Sequence, residues 1–287
     1  MAEKTTKLWT EISLKPQSER WKLLADILNK EGIKNQYQAF ATTQDNFNEK
    51  LIEATEKFFA LRVGPPFGEL VTHHFFYESA ITMSLGAADT LIPSHGKWWT
   101  RSCLFQAFHY LFSDRGESFN VQSTALVVGA GAAARVVISV LIKIGYKHIK
   151  ITNRFRDQAF NLIADLKKSY FGVHFEFVSV SQLTLLLGTN SVMVNTTPCA
   201  PGNELTKELM YFNFLEPGGE IWDLTFSPAD TELILEAEQI GAKVVRGFEV
   251  ASWADVVWVE WAFGHRMDQQ IYVRAMEKML RKHGGDP

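Results

Sequence analysis

Cysteine is nearly absent from this sequence: Cys103 and Cys199 are the two in 287 residues. Neither a disulfide framework nor a four-cysteine zinc site can be built from them. No charge sign dominates, since 29 Lys and Arg face 32 Asp and Glu for a net charge of −3. The broad basic field that holds nucleic acid or an anionic membrane is therefore missing. Long uncharged apolar runs are missing too. The most apolar window, Ala125 to Gly145, carries Arg135 and Lys143 and falls short of a transmembrane span. Met1 to Thr5 includes Glu3 and Lys4 and lacks the apolar core of a signal peptide. No internal repeat or low-complexity segment interrupts the chain. With 46% hydrophobic and 21% charged residues, disordered and fibrous classes are excluded. The expectation is a soluble cytoplasmic protein of two domains, monomer or homodimer, whose partner is a small molecule.

The two halves are patterned differently. Up to about residue 112, strand-like runs (Leu8 to Ser13, Tyr37 to Thr42, Leu61 to Val63, Asp89 to Ile92) alternate with helix-like ones. Trp21, Leu23, Leu24, Ile27 and Leu28 give a helical period over Ser18 to Lys30, and a second helix is expected over Phe47 to Phe59. Pro93 to Gly96 reads as a turn. The polar stretch Ser113 to Ser123, with Gly116, is the expected domain boundary. Beyond it, strands at Thr124–Val128, His148–Thr152, Val173–Val178, Ser191–Asn195, Glu220–Leu224 and Ala242–Val245 alternate with helices. The helices are read at Ala132–Ile144, Phe155–Ser169, Thr206–Phe212 and Thr231–Gln239. That alternation argues for an α/β fold with a doubly wound parallel sheet.

The sharpest local signal is Gly129-Ala130-Gly131-Ala132-Ala133-Ala134-Arg135, a G-x-G-x-x-A turn between an apolar strand and a helix. Glycines there let backbone N–H groups approach a pyrophosphate, and the helix N-terminus adds partial positive charge. The bland reading is a structural turn, but strand, loop and helix stand in the order a dinucleotide site needs. At the end of the next strand, Asn153-Arg154-Phe155-Arg156 stands where an NAD-selecting site carries an acid. Two guanidiniums can pair with a 2′-phosphate, which favours NADP over NAD; solvated surface arginines are the alternative.

These motifs resemble the shikimate/quinate dehydrogenase family. Gly129 to Arg135 is similar to its glycine loop, and Asn153 to Arg156 to its N-R-T-x-x-R/K element. Val194-Asn195-Thr196-Thr197-Pro198 matches V-N-T-T/A-P, and Asp223 to Thr231 matches D-x-x-Y-x-P-x-x-T with Phe226 at the aromatic position. The resemblance implies an N-terminal α/β substrate domain (1–112), a Rossmann NADP domain (113–246), and a C-terminal helical segment (247–287) returning to the first domain. It implies NADP contacts at Gly129, Ala130, Gly131, Ala132, Ala133, Asn153, Arg154, Arg156, Asn195, Thr196, Pro198, Leu224 and Gly247. Substrate contacts are implied at Ser13, Lys15, Asp89 and Phe226.

The first half departs from the family pattern. Ser13-Leu14-Lys15-Pro16 resembles S-L-S-P with a lysine for its second serine, and Gly86 to Thr90 resembles G-A-V-N-T with Asp89 for asparagine. The family's catalytic Lys falls on Gly68 and its Asp on Leu104, with Phe105 one residue further. Its substrate Gln has no counterpart in Trp253-Ala254-Asp255. Glycine, leucine and phenylalanine cannot relay the proton that accompanies hydride transfer.

Asp89 is the candidate replacement acid/base and Lys15 a candidate carboxylate ligand. The weighed alternative is that Asp89 caps a turn and Lys15 is solvated. Arg101, Ser102 and Cys103 are expected nearby. His73-His74 lacks a third ligand and reads as two surface histidines, so no metal is expected. Trp253, Trp258, Trp261 and Phe263 read as helix packing, and Arg281 to His283 as a basic helix end. Two functions remain: an NADP-dependent oxidoreductase acting on a substrate other than shikimate, a carboxylate among the candidates, or a non-catalytic NADP(H)-binding sensor. A folate or glutamyl-tRNA reductase relative is disfavoured by Asp223 to Thr231.

Overall fold

The computed structural model describes residues 6–115, 119–198 and 204–283; Cys199, and Gly116 of the expected boundary, fall outside them. Packing groups the chain into two compact units, Met1–Cys103 with Asp255–Asp268, and Leu104–Ala254 with Gln269–Pro287.

The first unit carries a seven-stranded mixed sheet of β1 (Lys7–Ser13), β2 (Asn35–Tyr37), β3 (Phe40–Ala41), β4 (Ala60–Val63), β5 (Phe76–Tyr77), β6 (Thr90–Ser94) and β7 (Lys97–Arg101). Its order is β2-β1-β4-β6-β7-β5, with β3 also paired to β1. The single strand expected over Tyr37 to Thr42 is two short ones in one register along β1. Gln38 and Ala39 interrupt it, and the Thr10 hydroxyl bonds the Gln38 carbonyl. Pro93 and Ser94, expected in a turn, extend β6 instead. They pair with β7 only, beyond the end of the β4 ladder, so the missing Pro93 N–H costs no bond. His95 and Gly96, both at positive φ, close that hairpin.

Helices α1 (Ser18–Lys30), α2 (Phe47–Lys57) and α3 (Ala80–Leu85) complete the N-terminal part. The core gathers Ile12, Phe47, Leu51, Leu61, Phe67 and Leu91. Phe47 stacks on Phe67 with ring centroids 4.3 Å apart.

In the second unit β8 (Thr124–Val128), β9 (His148–Thr152), β10 (His174–Phe177), β11 (Asn190–Asn195), β12 (Leu215–Asp223) and β13 (Lys243–Arg246) form one sheet. Every pairing is parallel, in the order β10-β9-β8-β11-β12-β13. Numbered from β8, this is 3-2-1-4-5-6, the doubly wound arrangement whose direction of winding reverses between β8 and β11. Ligands bind beyond the carboxyl ends of the strands at that reversal.

Its helices are α4 (Cys103–Asp114), α5 (Ala132–Ile144), α6 (Arg156–Ser169), α7 (Glu204–Leu209), α8 (Glu232–Gln239), α9 (Gly247–Phe263, whose second half belongs to the first unit) and α10 (Gln269–His283). Helix α4, most of whose residues fall in the segment expected to be the first domain, groups here, with Phe112 and Phe108 stacked on Trp222 at 4.2 and 5.6 Å. Within the C-terminal segment, Asp255–Asp268 joins the first unit, while α10 joins the second and sends Arg281 to Asp230. Among the described residues no helix is long and apolar enough to cross a membrane.

Candidate functional site

Strand β8 ends in four fully buried residues, Ala125 to Val128, and the chain must turn at once into α5. Gly129 makes that turn at φ +111°. A side chain there would lie 2.2 Å from Thr196 Oγ1 and 3.1 Å from Thr197 Cγ2, so only glycine fits. Gly129 N–H donates to Thr152 O at 2.8 Å, which fixes the turn against β9. Gly131 is different: it caps α5 without a side-chain bond, is exposed, and a Cβ built on it meets nothing within 4 Å. The first-turn N–H groups of α5, carried by Ala132, Ala133 and Ala134, have no partner within the helix and carry partial positive charge. That cradle fits a dinucleotide pyrophosphate.

At the end of β9, the buried Asn153 donates to Phe155 O at 2.9 Å and to Gln158 Oε1 at 3.1 Å. These bonds shape the turn that carries Arg154 and Arg156. Both guanidiniums are exposed and lie over phenyl rings, Arg154 over Phe155 at 4.5 Å and Arg156 over Phe160 at 4.9 Å. They line an open groove of about 1320 Å³ together with Asn153, Phe177, Ser179 and Lys207. Lys207 and the groove hydroxyls carried no motif in the sequence, since they come from elements 25 or more residues beyond Arg154.

The V-N-T-T-P and D-x-x-F elements meet at one carboxylate. Asp223, buried at the end of β12, accepts from Asn195 Nδ2 (3.0 Å), Thr225 N–H (3.0 Å) and Oγ1 (2.9 Å), and Thr231 Oγ1 (2.6 Å). Asn195 Oδ1 in turn accepts from Thr197 N–H and Oγ1. Thr196 Oγ1 donates to Val128 O at 2.7 Å. The side chains of Asn195 and Thr196 therefore bond protein, and their contribution is to hold the turn through exposed Pro198 beside the glycine loop. Leu224 N–H bonds Asn195 O at 2.9 Å. Gly247 opens α9 against this backbone, where a Cβ would lie 2.2 Å from Thr225 O. Phe226 is half-buried in the same loop.

In the first unit, β1 and β4 run parallel with Glu11 opposite Arg62, so both side chains share a face. Ser13 lies two residues on, buried, and its Oγ has no hydrogen-bond partner among the described residues. Lys15 is exposed. Asp89 Oδ1 accepts from Cys103 N–H at 2.8 Å and Thr90 Oγ1 at 2.9 Å, with Arg62 Nη1 at 3.5 Å. It thereby satisfies the first N–H of α4. The Arg62 guanidinium is held above its ordinary range: burial opposes its charge, but Asp89, Cys103, Asp255 and Glu11 outweigh burial. Burial, together with Asp89, pushes the Cys103 thiol well up, which leaves it inert.

Asp255 forms a two-pronged pair with Arg20, at 2.8 and 2.6 Å. Glu11 accepts from Trp21 Nε1 and Gln17 N–H. This buried cluster of Glu11, Arg20, Arg62 and Asp255 was missed in the sequence. The one available signal was a charge, Arg62, inside a fully buried strand. Gly68 sits buried in the loop after β4 and Leu104 in the first turn of α4. His73 and His74 are exposed at the end of a 3₁₀ turn. Among the described residues no group of three or more His, Cys, Asp or Glu could hold a metal. Trp258 packs on Trp9 at 4.6 Å and Trp253 on Tyr110 at 5.7 Å.

The family model for shikimate / quinate 5-dehydrogenase matches residues 114–210. A shikimate dehydrogenase (NADP(+)) of Rhizobium meliloti is 27% identical over 238 residues, 82% of this chain and 81% of that protein. One from Cereibacter sphaeroides is 30% identical over 193 residues, 67% of each. Among solved structures, shikimate 5-dehydrogenase from Thermus thermophilus in complex with NADP(H) and shikimate superposes with a TM-score of 0.77 at 20% identity. The match covers 96% of this chain and 100% of that one, a likeness of fold. From the relatives in sequence and the shared architecture, the chain belongs to the shikimate/quinate dehydrogenase family.

Proposed function

We propose that this protein is an NADP-dependent oxidoreductase that interconverts a secondary alcohol and its carbonyl form, on a small substrate other than shikimate. The observation that carries the cofactor is the open cradle at Gly131 and α5, set at the reversal point of the sheet, with Arg154 and Arg156 where the chain leaves β9 for α6. Bound NADP supplies the acceptor or donor of hydride. The chain's part is to orient the dinucleotide through backbone N–H groups, to receive the 2′-phosphate on guanidiniums, and to handle the hydroxyl proton.

The substrate half of the reading rests on Gly68 and Leu104, which stand where the family resemblance places a lysine and an aspartate. Neither can exchange a proton. Ser13 Oγ remains a buried hydroxyl ready for a substrate, and Asp89, its side chain one-fifth exposed beside Arg62, is the candidate proton carrier. The same two positions support a second reading, an NADP(H)-binding sensor without turnover. Titration of NADPH and NADH by nicotinamide fluorescence, followed by NADPH consumption with a panel of small hydroxy-carbonyl compounds, separates the two. Preferential NADPH binding with turnover of a panel member supports the enzyme. Binding without turnover supports the sensor, and equal affinity for NADH overturns both.

A further inference from the structure

The groove at the end of β9 has a second wall, built by packing rather than by a motif. Leu205 and Leu209, four residues apart on α7, are buried against Val178, Leu183 and Phe212. At about 100° per residue, the residue midway between them faces away from that core. That residue is Lys207, and it lines the groove with Arg154 and Arg156. Ser179 and Ser181 add hydroxyls from the turn after β10, and Glu208 is the one carboxylate among the described residues of the lining.

We propose that Lys207 is a third determinant of cofactor choice, an ammonium that meets the 2′-phosphate from α7, in the groove that the two arginines also line. The proposal rests on the NADP reading above. Three cations against one carboxylate suit a phosphomonoester, which carries roughly −1.5 to −2 at pH 7. The roles divide by chemistry. Arg154 and Arg156, each over a phenyl ring, present planar forks, whereas the ammonium is a compact charge on a flexible stem. A cofactor with a free 2′-hydroxyl gains almost nothing from it, so its effect appears as discrimination.

The test measures dissociation constants of intact protein for NADPH and NADH, with adenosine 2′-monophosphate and adenosine 5′-monophosphate as competitors. Lys207→Ala is expected to weaken NADPH and adenosine 2′-monophosphate roughly five- to tenfold, an exposed charge pair being worth less than a buried one. NADH, adenosine 5′-monophosphate and the melting temperature should not change. Lys207→Arg should retain the preference, and Lys207→Glu should lower it further than alanine does. If the unmodified protein prefers NADPH and Lys207→Ala leaves that ratio intact, or weakens both cofactors equally, the proposal is overturned while the NADP reading stands. If the unmodified protein shows no preference, the NADP reading falls and takes the proposal with it.

Discussion

Replacing Asp223 with asparagine changes one atom in the hub that joins the two loops beside the phosphate turn. The carboxylate is 1% exposed and accepts from Asn195, from Thr225 twice, and from Thr231. An amide of the same shape keeps one accepting oxygen and turns an NH₂ group toward groups that also donate. A hydrogen bond to a charged group contributes about 1.5–3 kcal/mol net, and neighbouring bonds are not additive. The expected loss is therefore about 2–4 kcal/mol, in the upper range for a single substitution. For a chain of this size that lowers the melting temperature by roughly 5–15 °C. Because Thr231 also caps α8 through Ile234 N–H, and Asn195 shapes the turn to Pro198, NADPH affinity should fall with stability. Thermal unfolding followed by circular dichroism, with and without NADPH, measures both. Melting within about 2 °C of the unmodified protein, with NADPH affinity intact, would refute the view that this carboxylate holds the cofactor loops.

Gly129→Ala should weaken NADPH binding tenfold or more, since φ +111° and a contact 2.2 Å from Thr196 Oγ1 force the turn to move; fluorescence titration reads it. Replacing Arg154 and Arg156 together by alanine should remove most of the preference for NADPH over NADH, with little change in NADH affinity, in the same titration. Asp230 gives a pH prediction: burial alone would raise its carboxyl, but bonds from Arg246 and Arg281 outweigh burial and hold it below the usual range. A lowered native value stabilises the fold above the unfolded value near 3.9, and that contribution is lost as pH falls through the native value. Asp230→Asn should therefore flatten the acid limb of the stability curve, followed by denaturant unfolding from pH 5 downward, and leave the neutral region's slope unchanged.

The Rossmann half was legible because local pattern and tertiary role coincide there. Thr124–Val128 and Ala132–Ile144 lie where the pattern placed them, since both faces of a central parallel strand and much of its following helix are buried. Helix α4 was not read, although Cys103, Ala107, Phe108, Leu111 and Phe112 keep a helical spacing. Its first N–H is taken by Asp89, fourteen residues earlier, which accepts from Cys103, so part of its N-terminal anchoring is non-local. Strand β7 was hidden by Trp98 and Trp99, which break a simple alternation. In the site, Gly129 and Arg154 belong to motifs with a local mechanism, whereas Lys207, Arg20 and Asp255 acquire their roles from residues far away in sequence. Asn195 and Thr196 were expected at the cofactor, and their side chains prove to bond Asp223 and Val128.

The claim that Gly68 and Leu104 remove the proton relay for shikimate is tested most directly by shikimate oxidation. NADPH formation from NADP and shikimate should be followed at neutral pH beside the shikimate dehydrogenase (NADP(+)) of Rhizobium meliloti. A missing general acid/base forfeits about 10²–10⁴-fold in rate, so this protein should run slower by at least that factor while still binding NADPH. Shikimate oxidation at a rate comparable to that relative would contradict the account.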